Sequence, residues 1–377
     1  MIIMRLSNKR LLGIVLMGVL MLSCGFAAES DKKKRIDRFS DSEYFYDGKF
    51  HNYSDVKLAS PPFWRATKAV LFEGTDKVPT RPLPVNRLNR DHFQKDRFGN
   101  FSFVWLGQAS VLVNLEDKYL LTDPMFSKRA FFVQWVGPER FHPVPVAMED
   151  LPELEAIIIS HNHYDHLDEA SIKKLDHKTK TYLVPLAVGK YLEDWGIDPQ
   201  KIIELDWWQG VEHDEIQFIA TPALHFSGRG IFDHNESFWN CWVIKSKEHS
   251  IFFCGDSGMF PLFKDIGDKY GPFDLTIIPI GAYSKLWHDS HLFPEEAVQV
   301  HKELKGRVVL PIHWATFSQA THSWYDPAER FFETAHKENI TAVFPKIGQI
   351  IQYHNLPETP PWWKVEIAPL SAKNSKE

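Results

Sequence analysis

The sequence predicts an α/β protein, and three features lead there. From residue 156 onward, short β-branched apolar runs alternate with segments of helical period. Ahead of them, residues 101–122 read as a β-meander, three apolar runs separated by Gly107-Gln108 and Glu116-Asp117. Lastly, His161, His225, Asp256 and His313 each stand just past an apolar run, where α/β sheets present their ligands.

Composition sets the outer bounds. A chain of 377 residues, 44% hydrophobic and 24% charged, has the material for a large core and an ordinary globular surface. The net charge of −6 and a pI near 6.3 leave no basic footprint, so nucleic acid is not an expected partner. Arg5, Lys9 and Arg10 precede the apolar run 11–22, which is too short for an ordinary membrane span and suits a signal-peptide core. Residues 1–27 are therefore expected to form a signal peptide, cleaved before Cys24 or after Ala27. Met21-Leu-Ser-Cys-Gly25 resembles a bacterial lipoprotein box, with Met21 where Leu is usual, and would make a lipidated Cys24 the mature N-terminus. The alternative is an A-x-A-like site around Phe26 that releases a soluble protein. Both readings export the chain, to the periplasm or as an anchored lipoprotein of the cell envelope.

Residues 28–60, with Asp31-Lys-Lys-Lys-Arg35 and Tyr44-Phe-Tyr46, show no periodicity and read as a tether or N-terminal arm. The main domain is expected over 61–370, with a polar tail at 371–377. It begins with an amphipathic stretch from Pro61 to Phe72. After the meander, the acidic side chain of Asp123 at a strand exit either orients a ligand histidine or caps a turn. A buried strand at 156–159 follows, then helices at 168–175 and 186–195 alternating with strands at 181–184 and 201–205. An alternating strand at 215–220 leads to His225. Cys241 and Cys254 flank a hairpin made of 241–245 and 251–254; two buried thiols are the expectation, although a cross-strand pair is geometrically conceivable. A strand at 274–280, a helix at 294–304, a strand at 308–312, a helix at 327–337 and a strand at 342–345 complete the domain.

The chemistry centres on His161-Asn-His-Tyr-Asp-His166, which places four metal-ligand side chains within six residues directly after a strand. Imidazole and carboxylate suit Zn²⁺ and similar ions. His161 and His163 would face one ion, while Asp165 and His166 reach toward a second. Taken alone, His225 or His313 would read as a structural histidine, but their shared placement with this loop points to convergence on one site.

With these residues in view, the chain resembles the metallo-β-lactamase superfamily. It is similar in particular to the N-acylphosphatidylethanolamine-hydrolysing phospholipase D branch. The motifs that carry the likeness are Ser160–Asp168, Thr221-Pro-Ala-Leu-His-Phe-Ser-Gly-Arg229, Phe253-Cys-Gly-Asp-Ser-Gly258, Gly271-Pro-Phe-Asp-Leu275, Ile278-Pro-Ile-Gly-Ala-Tyr283, Pro294-Glu-Glu-Ala297 and Ile312-His-Trp-Ala-Thr-Phe317. The resemblance implies a single-domain αββα sandwich, two mixed sheets flanked by helices. It also implies two zinc ions, one held by His161, His163 and His225, the other by Asp165, His166 and His313, with Asp256 between them. Two such ions lower the pKa of water and stabilise charge on a phosphoryl oxygen, so the implied reaction is phosphodiester hydrolysis to N-acylethanolamine and phosphatidate. Asp165 and Asp256 are the candidates for deprotonating the water. His291, within Trp287-His-Asp-Ser-His-Leu-Phe293, or Tyr283 is the candidate for contacting the phosphate or assisting the leaving group, with Trp287 a further substrate contact.

The expected partners are a phospholipid or other small-molecule substrate, a membrane surface and, since family members can be dimers, a second copy. For a lipid, Phe63, Trp64, Phe72, Phe131, Phe132, Trp135, Trp207, Trp208, Leu286 and Trp287 are available to line a groove or touch a bilayer, although each taken singly reads as core. The competing readings are a lactonase or esterase of the same fold, and a non-catalytic metal-binding protein of the envelope.

Overall fold

The computed structural model describes residues 38–58, 61–230 and 232–367. The expected signal peptide, the start of the arm and the 371–377 tail lie outside them. Contacts divide the chain into Met1–His51 and Asn52–Glu377. Within the first unit, strands β1 (Phe45–Tyr46) and β2 (Lys49–Phe50) pair antiparallel. The rings of Phe39, Phe45 and Phe50 lie 4.8 to 5.5 Å apart. This part of the expected tether is therefore structured. Two residue pairs held by three rings leave no periodicity for a sequence reading to find.

The second unit opens with helices α1 (Phe63–Phe72) and α2 (Lys95–Phe98). The meander follows as β3 (Phe101–Gly107), β4 (Ser110–Leu115) and β5 (Lys118–Thr122), extended by β6 (Leu154–Ile158), β7 (Thr179–Pro185) and β8 (Ile202–Leu205). Helices α3 (Glu169–Leu175) and α4 (Gly189–Asp194) make the crossovers. A second sheet contains β9 (Gly210–His213), β10 (Ile216–Thr221), β11 (Cys241–Lys245), β12 (Ser250–Cys254), β13 (Phe273–Pro279) and β14 (Gly306–Ile312), with helices α5 (Leu262–Tyr270), α6 (Pro294–Glu303) and α7 (Asp326–Lys337). Finally β15 (Ile350–Gln352) returns to the first sheet beside β3, ahead of the short helix α8 (Trp363–Ile367). The sheet orders are β15-β3-β4-β5-β6-β7-β8 and β14-β13-β12-β11-β10-β9. This is an αββα sandwich.

Both faces of the central strands are covered, which is why they read as unbroken apolar runs. On one face of the first sheet Val104, Leu112, Leu121, Ile157, Tyr182 and Val184 pack with Ile172 and Leu175 of α3 and with Leu192 of α4. The alternate residues Trp105, Val113, Ile158 and Leu183 are equally buried and point the opposite way, as the two-residue strand period requires. On that side the indole N–H of Trp242, in β11, donates to the Ile159 carbonyl at 2.9 Å.

In the two large sheets, three short segments depart from expectation. β9 and β15 were not foreseen, and residues 342–345 make a single bridge, Ala342 to Val309, rather than a strand. All three sit at or beside sheet edges, where one neighbour suffices and a long apolar signature is not needed.

α6 begins with Pro294 in its first turn, and the Glu296 carboxylate accepts from the Phe293 N–H at 2.8 Å. Its inner face buries Ala297, Val300 and His301, and His301 Nδ1 lies 2.8 Å from Thr276 Oγ1 on β13. Burial pushes the His301 imidazole down to about 4. In the unfolded chain a histidine titrates near about 6.5, so between these values the unfolded state binds a proton that the folded state refuses. Stability contributed by neutral His301 is therefore present above about 6.5 and lost as pH falls toward 4, at about 1.4 kcal/mol per pH unit. Urea unfolding across this window should show a shallower pH slope in His301→Gln than in the parent. Equal slopes would mean that His301 is not held neutral.

Candidate metal centre

Strand direction explains why distant residues meet. β3, β5 and β6 run the same way in the first sheet, as do β10, β12 and β14 in the second. Gln108, Asp123 and the 160–166 loop therefore leave one edge of the first sheet, while His225, Asp256 and His313 leave one edge of the second. There they meet in two groups. His161, His163, His225 and Asp256 bring four donor atoms within 4.8 Å of one another, and so do Asp165, His166, Asp256 and His313. Asp256 belongs to both.

The backbone is bent to achieve this. Gln108, Asp123 and His313 have φ of +51°, +32° and +65°, left-handed conformations that strain ordinary residues and collect at functional sites. Close approach also demands glycine at two places. A Cβ on Gly255 would lie 2.0 Å from Ser160 Oγ, and one on Gly281 would lie 1.9 Å from the His313 carbonyl oxygen.

Three of the histidines are held through their second nitrogen. His166 Nδ1 sits 2.7 Å from Asp123 Oδ2, His161 Nδ1 2.9 Å from Ser160 Oγ, and His225 Nδ1 2.9 Å from the Ser290 carbonyl oxygen. Asp123 also accepts from the Ser160 N–H at 2.7 Å and from its hydroxyl at 2.6 Å. Of the two readings open in the sequence, the orienting one describes Asp123.

The free nitrogens face each other. His161 Nε2 and His163 Nδ1 are 2.7 Å apart, His225 Nε2 and His163 Nδ1 3.3 Å, and His166 Nε2 and His313 Nε2 3.1 Å. Burial drives His161 and His225 well below the usual histidine range and brings His163 down to about 4. Their ring nitrogens thus converge on one point as neutral imidazoles, the form in which histidine binds a divalent cation. Near the second group burial works against ionisation, but the charges of Asp256 and Asp165 overcome it, holding His166 well above the usual range and His313 up to about 9. In turn those imidazoles, against the opposing effect of burial, keep Asp165 and Asp256 far below the ordinary carboxylate range. Asp256 Oδ1 is buried without a hydrogen-bond partner. Donor chemistry, spacing and this orphaned oxygen all fit divalent cations.

The chain matches the family model described as "Beta-lactamase superfamily domain" over residues 118–314. An N-acyl-phosphatidylethanolamine-hydrolyzing phospholipase D of Caenorhabditis elegans is 38% identical over 270 residues, 68% of this chain and 75% of that protein. The chain belongs to the metallo-β-lactamase superfamily. Within it the chain falls in the branch similar to that phospholipase D, and it is a metal-dependent hydrolase. An uncharacterized protein of Mycobacterium tuberculosis is 37% identical over 291 residues, 76% of this chain and 77% of that protein. Among solved structures, the metallo hydrolase Igni18 of Ignicoccus hospitalis superposes with a TM-score of 0.52 at 18% identity, covering 67% of this chain and 97% of that one, a likeness of fold.

Around the cage of this superfamily member the remaining candidates divide. His291 is present, its Nε2 3.3 Å from Asp256 Oδ2 and its side chain 14% exposed. Tyr283 is otherwise engaged: it is buried, stacks on His322 and donates its hydroxyl to Asp326 of α7. The proton that Tyr283 would give to a phosphate or leaving group is thus directed to Asp326. The Trp287 indole N–H donates to the Ala282 carbonyl at 2.8 Å, which leaves only its ring for contact.

Other residues of the centre were not foreseen. Gln108 Nε2 donates to Asp165 Oδ2 at 2.7 Å and lies 2.8 Å from His313 Nε2. Asn52 brackets His225, donating to its carbonyl at 2.8 Å and accepting from its N–H at 3.2 Å. Arg229 donates to the carbonyls of Asn162 and Leu167, both at 2.7 Å, and lies 3.9 Å over the Tyr164 ring, clamping the histidine loop. A polar residue in a tight turn after an apolar strand, as Gln108 is, was the one available signal.

Asp123→Asn should present an amide N–H to His166 Nδ1 and force the proton onto Nε2, the nitrogen that faces the cage. Retention of metal against a chelator should fall about 10–100-fold while the far-ultraviolet circular dichroism is kept. Unchanged retention would mean that Asp123 does not orient His166.

Proposed function

We propose that the protein is a zinc-dependent phosphodiesterase of phospholipase D type, cleaving N-acylphosphatidylethanolamine-like lipids to N-acylethanolamine and phosphatidate. The observation that carries this reading is a two-centre cage sharing one carboxylate beside a rim of exposed aromatic residues. Phe132 and Trp135 are 66% and 79% exposed on a loop whose Phe131 and Phe132 rings lie 5.8 and 6.2 Å from that of Tyr164, inside the histidine motif. A second apolar group ends α1, where Leu71 and Phe72 are exposed. The turn after it reaches the loop beyond His313, since the Trp324 N–H donates to the Asp76 carbonyl at 3.0 Å. Phe232 adds a further exposed ring. Exposed aromatic side chains of this kind favour a bilayer interface, where an amphipathic substrate is presented. Trp207, by contrast, is core, and the Phe63 side chain lies outside the described ones.

Two zinc ions, when bound, would acidify water and neutralise charge building on the phosphoryl oxygens. The chain's own groups do the rest. Asp165 and Asp256, held ionised, accept the proton of the attacking water. As the new oxygen–phosphorus bond forms, the bond to the ethanolamine oxygen breaks, and His291, at the more exposed side of the cage, is placed to protonate the departing alkoxide.

Metal-loaded protein should release N-acylethanolamine from N-acylphosphatidylethanolamine vesicles, and a chelator or His163→Ala should abolish the release. Turnover of a lactone panel in place of the phospholipid would replace this reading with that of a lactonase. Separately, Phe132→Ala/Trp135→Ala should lower turnover on vesicles at least about tenfold while leaving a short-chain, monodisperse substrate unaffected. Equal losses on both would rule out a role at the interface.

A further inference from the structure

Cys241 and Cys254 stand directly opposite each other in the antiparallel β11–β12 pair. Both are fully buried, and their Sγ atoms are 2.9 Å apart. We propose that they are a disulfide-forming pair, a covalent modification site behind the metal cage. Opposed residues of an antiparallel ladder have Cα atoms about 4.5–5.5 Å apart, inside the separation that a disulfide spans. With the two sulfurs already in contact, the register holds the pair in place for the bond.

The location gives the bond its consequence. Cys254 is followed by Gly255 and Asp256, the carboxylate common to both donor groups. Cys241 follows Asn240, whose N–H donates to the Ser160 carbonyl at 2.8 Å, and precedes Trp242, which donates to Ile159. A bond here ties the strand that delivers Asp256 to the strand that anchors the root of the histidine loop.

The reaction is thiol–disulfide exchange with an external disulfide. One cysteine thiolate attacks a sulfur of that disulfide, forming a mixed disulfide and expelling a thiolate; the second cysteine then displaces the remaining half. Two electrons leave the cysteine sulfurs, the external disulfide is reduced to two thiols, and the two protons come from Cys241 and Cys254. Because both sulfurs are enclosed, exchange takes place before the ladder closes or when it opens, and the finished bond is then shielded from reductant.

The test uses the whole chain, refolded with oxidised glutathione or with excess reductant, then denatured with N-ethylmaleimide and digested. A Cys241 peptide linked to a Cys254 peptide is expected after oxidised glutathione only, and should be missing in Cys254→Ser. The link should survive reductant applied to the folded protein and be lost when the same reductant is applied in denaturant. Closing the intervening loop should shift the unfolding equilibrium of the oxidised protein by up to about a hundredfold over the reduced one. This comparison needs no variant, so it stands even if Cys254→Ser does not fold. Full alkylation of both thiols after oxidised glutathione, a separate glutathione on either cysteine, or a link to Cys24 in place of the pair would each overturn the proposal.

Discussion

Five imidazoles and two carboxylates enclosed in one small volume are the constraint from which the rest of the structure follows. Neutral imidazole nitrogens converge to within about 3 Å of one another, and carboxylates stripped of water demand counter-charge. Against the effect of burial, the charges of Asp256 and Asp165 favour the charged forms of His166 and His313. At His161, His163 and His225 burial prevails and keeps them neutral. The two sides of the cage thus shift their histidines in opposite directions, although both share Asp256.

The scaffold achieves this convergence through features that would be unfavourable elsewhere. Left-handed backbone at Gln108, Asp123 and His313 aims side chains that an ordinary strand exit would direct away. Gly255 and Gly281 allow main chain from the second sheet to approach Ser160 and His313 more closely than any side chain would permit. Asp123 fixes His166 and, through Ser160, His161, so a single carboxylate outside the cage governs one histidine of each group. Support from residues beyond the direct donors is what gives such centres a fixed geometry.

Much of this was legible in the sequence because the chemistry is local at its origin. The loop 161–166 spells out its donors, and His225, Asp256 and His313 each follow an apolar run whose length announces a buried strand. The family motifs extended that reading to the architecture. What stayed hidden was settled by partners far away in the chain. Asn52 reaches His225 across 173 positions and Gln108 reaches His313 across 205, separations that no periodicity encodes. The partner of Tyr283 was hidden for the same reason: only the folded chain shows that Asp326 takes its hydroxyl. The aromatic residues were ambiguous individually, since Trp207 and Trp135 look alike in sequence and end at opposite extremes of exposure.

The donors come from both halves of the sandwich, with neither sheet contributing a complete set. A cation seated among them therefore acts as a rivet through the seam. The two layers are fastened at the edge where substrate would enter, and any loosening of one against the other is felt first as a change in the grip on the ion. An assembly joined in this way cannot be trimmed to a working half, because each layer by itself is left with a row of unshared ligands and an uncovered apolar face.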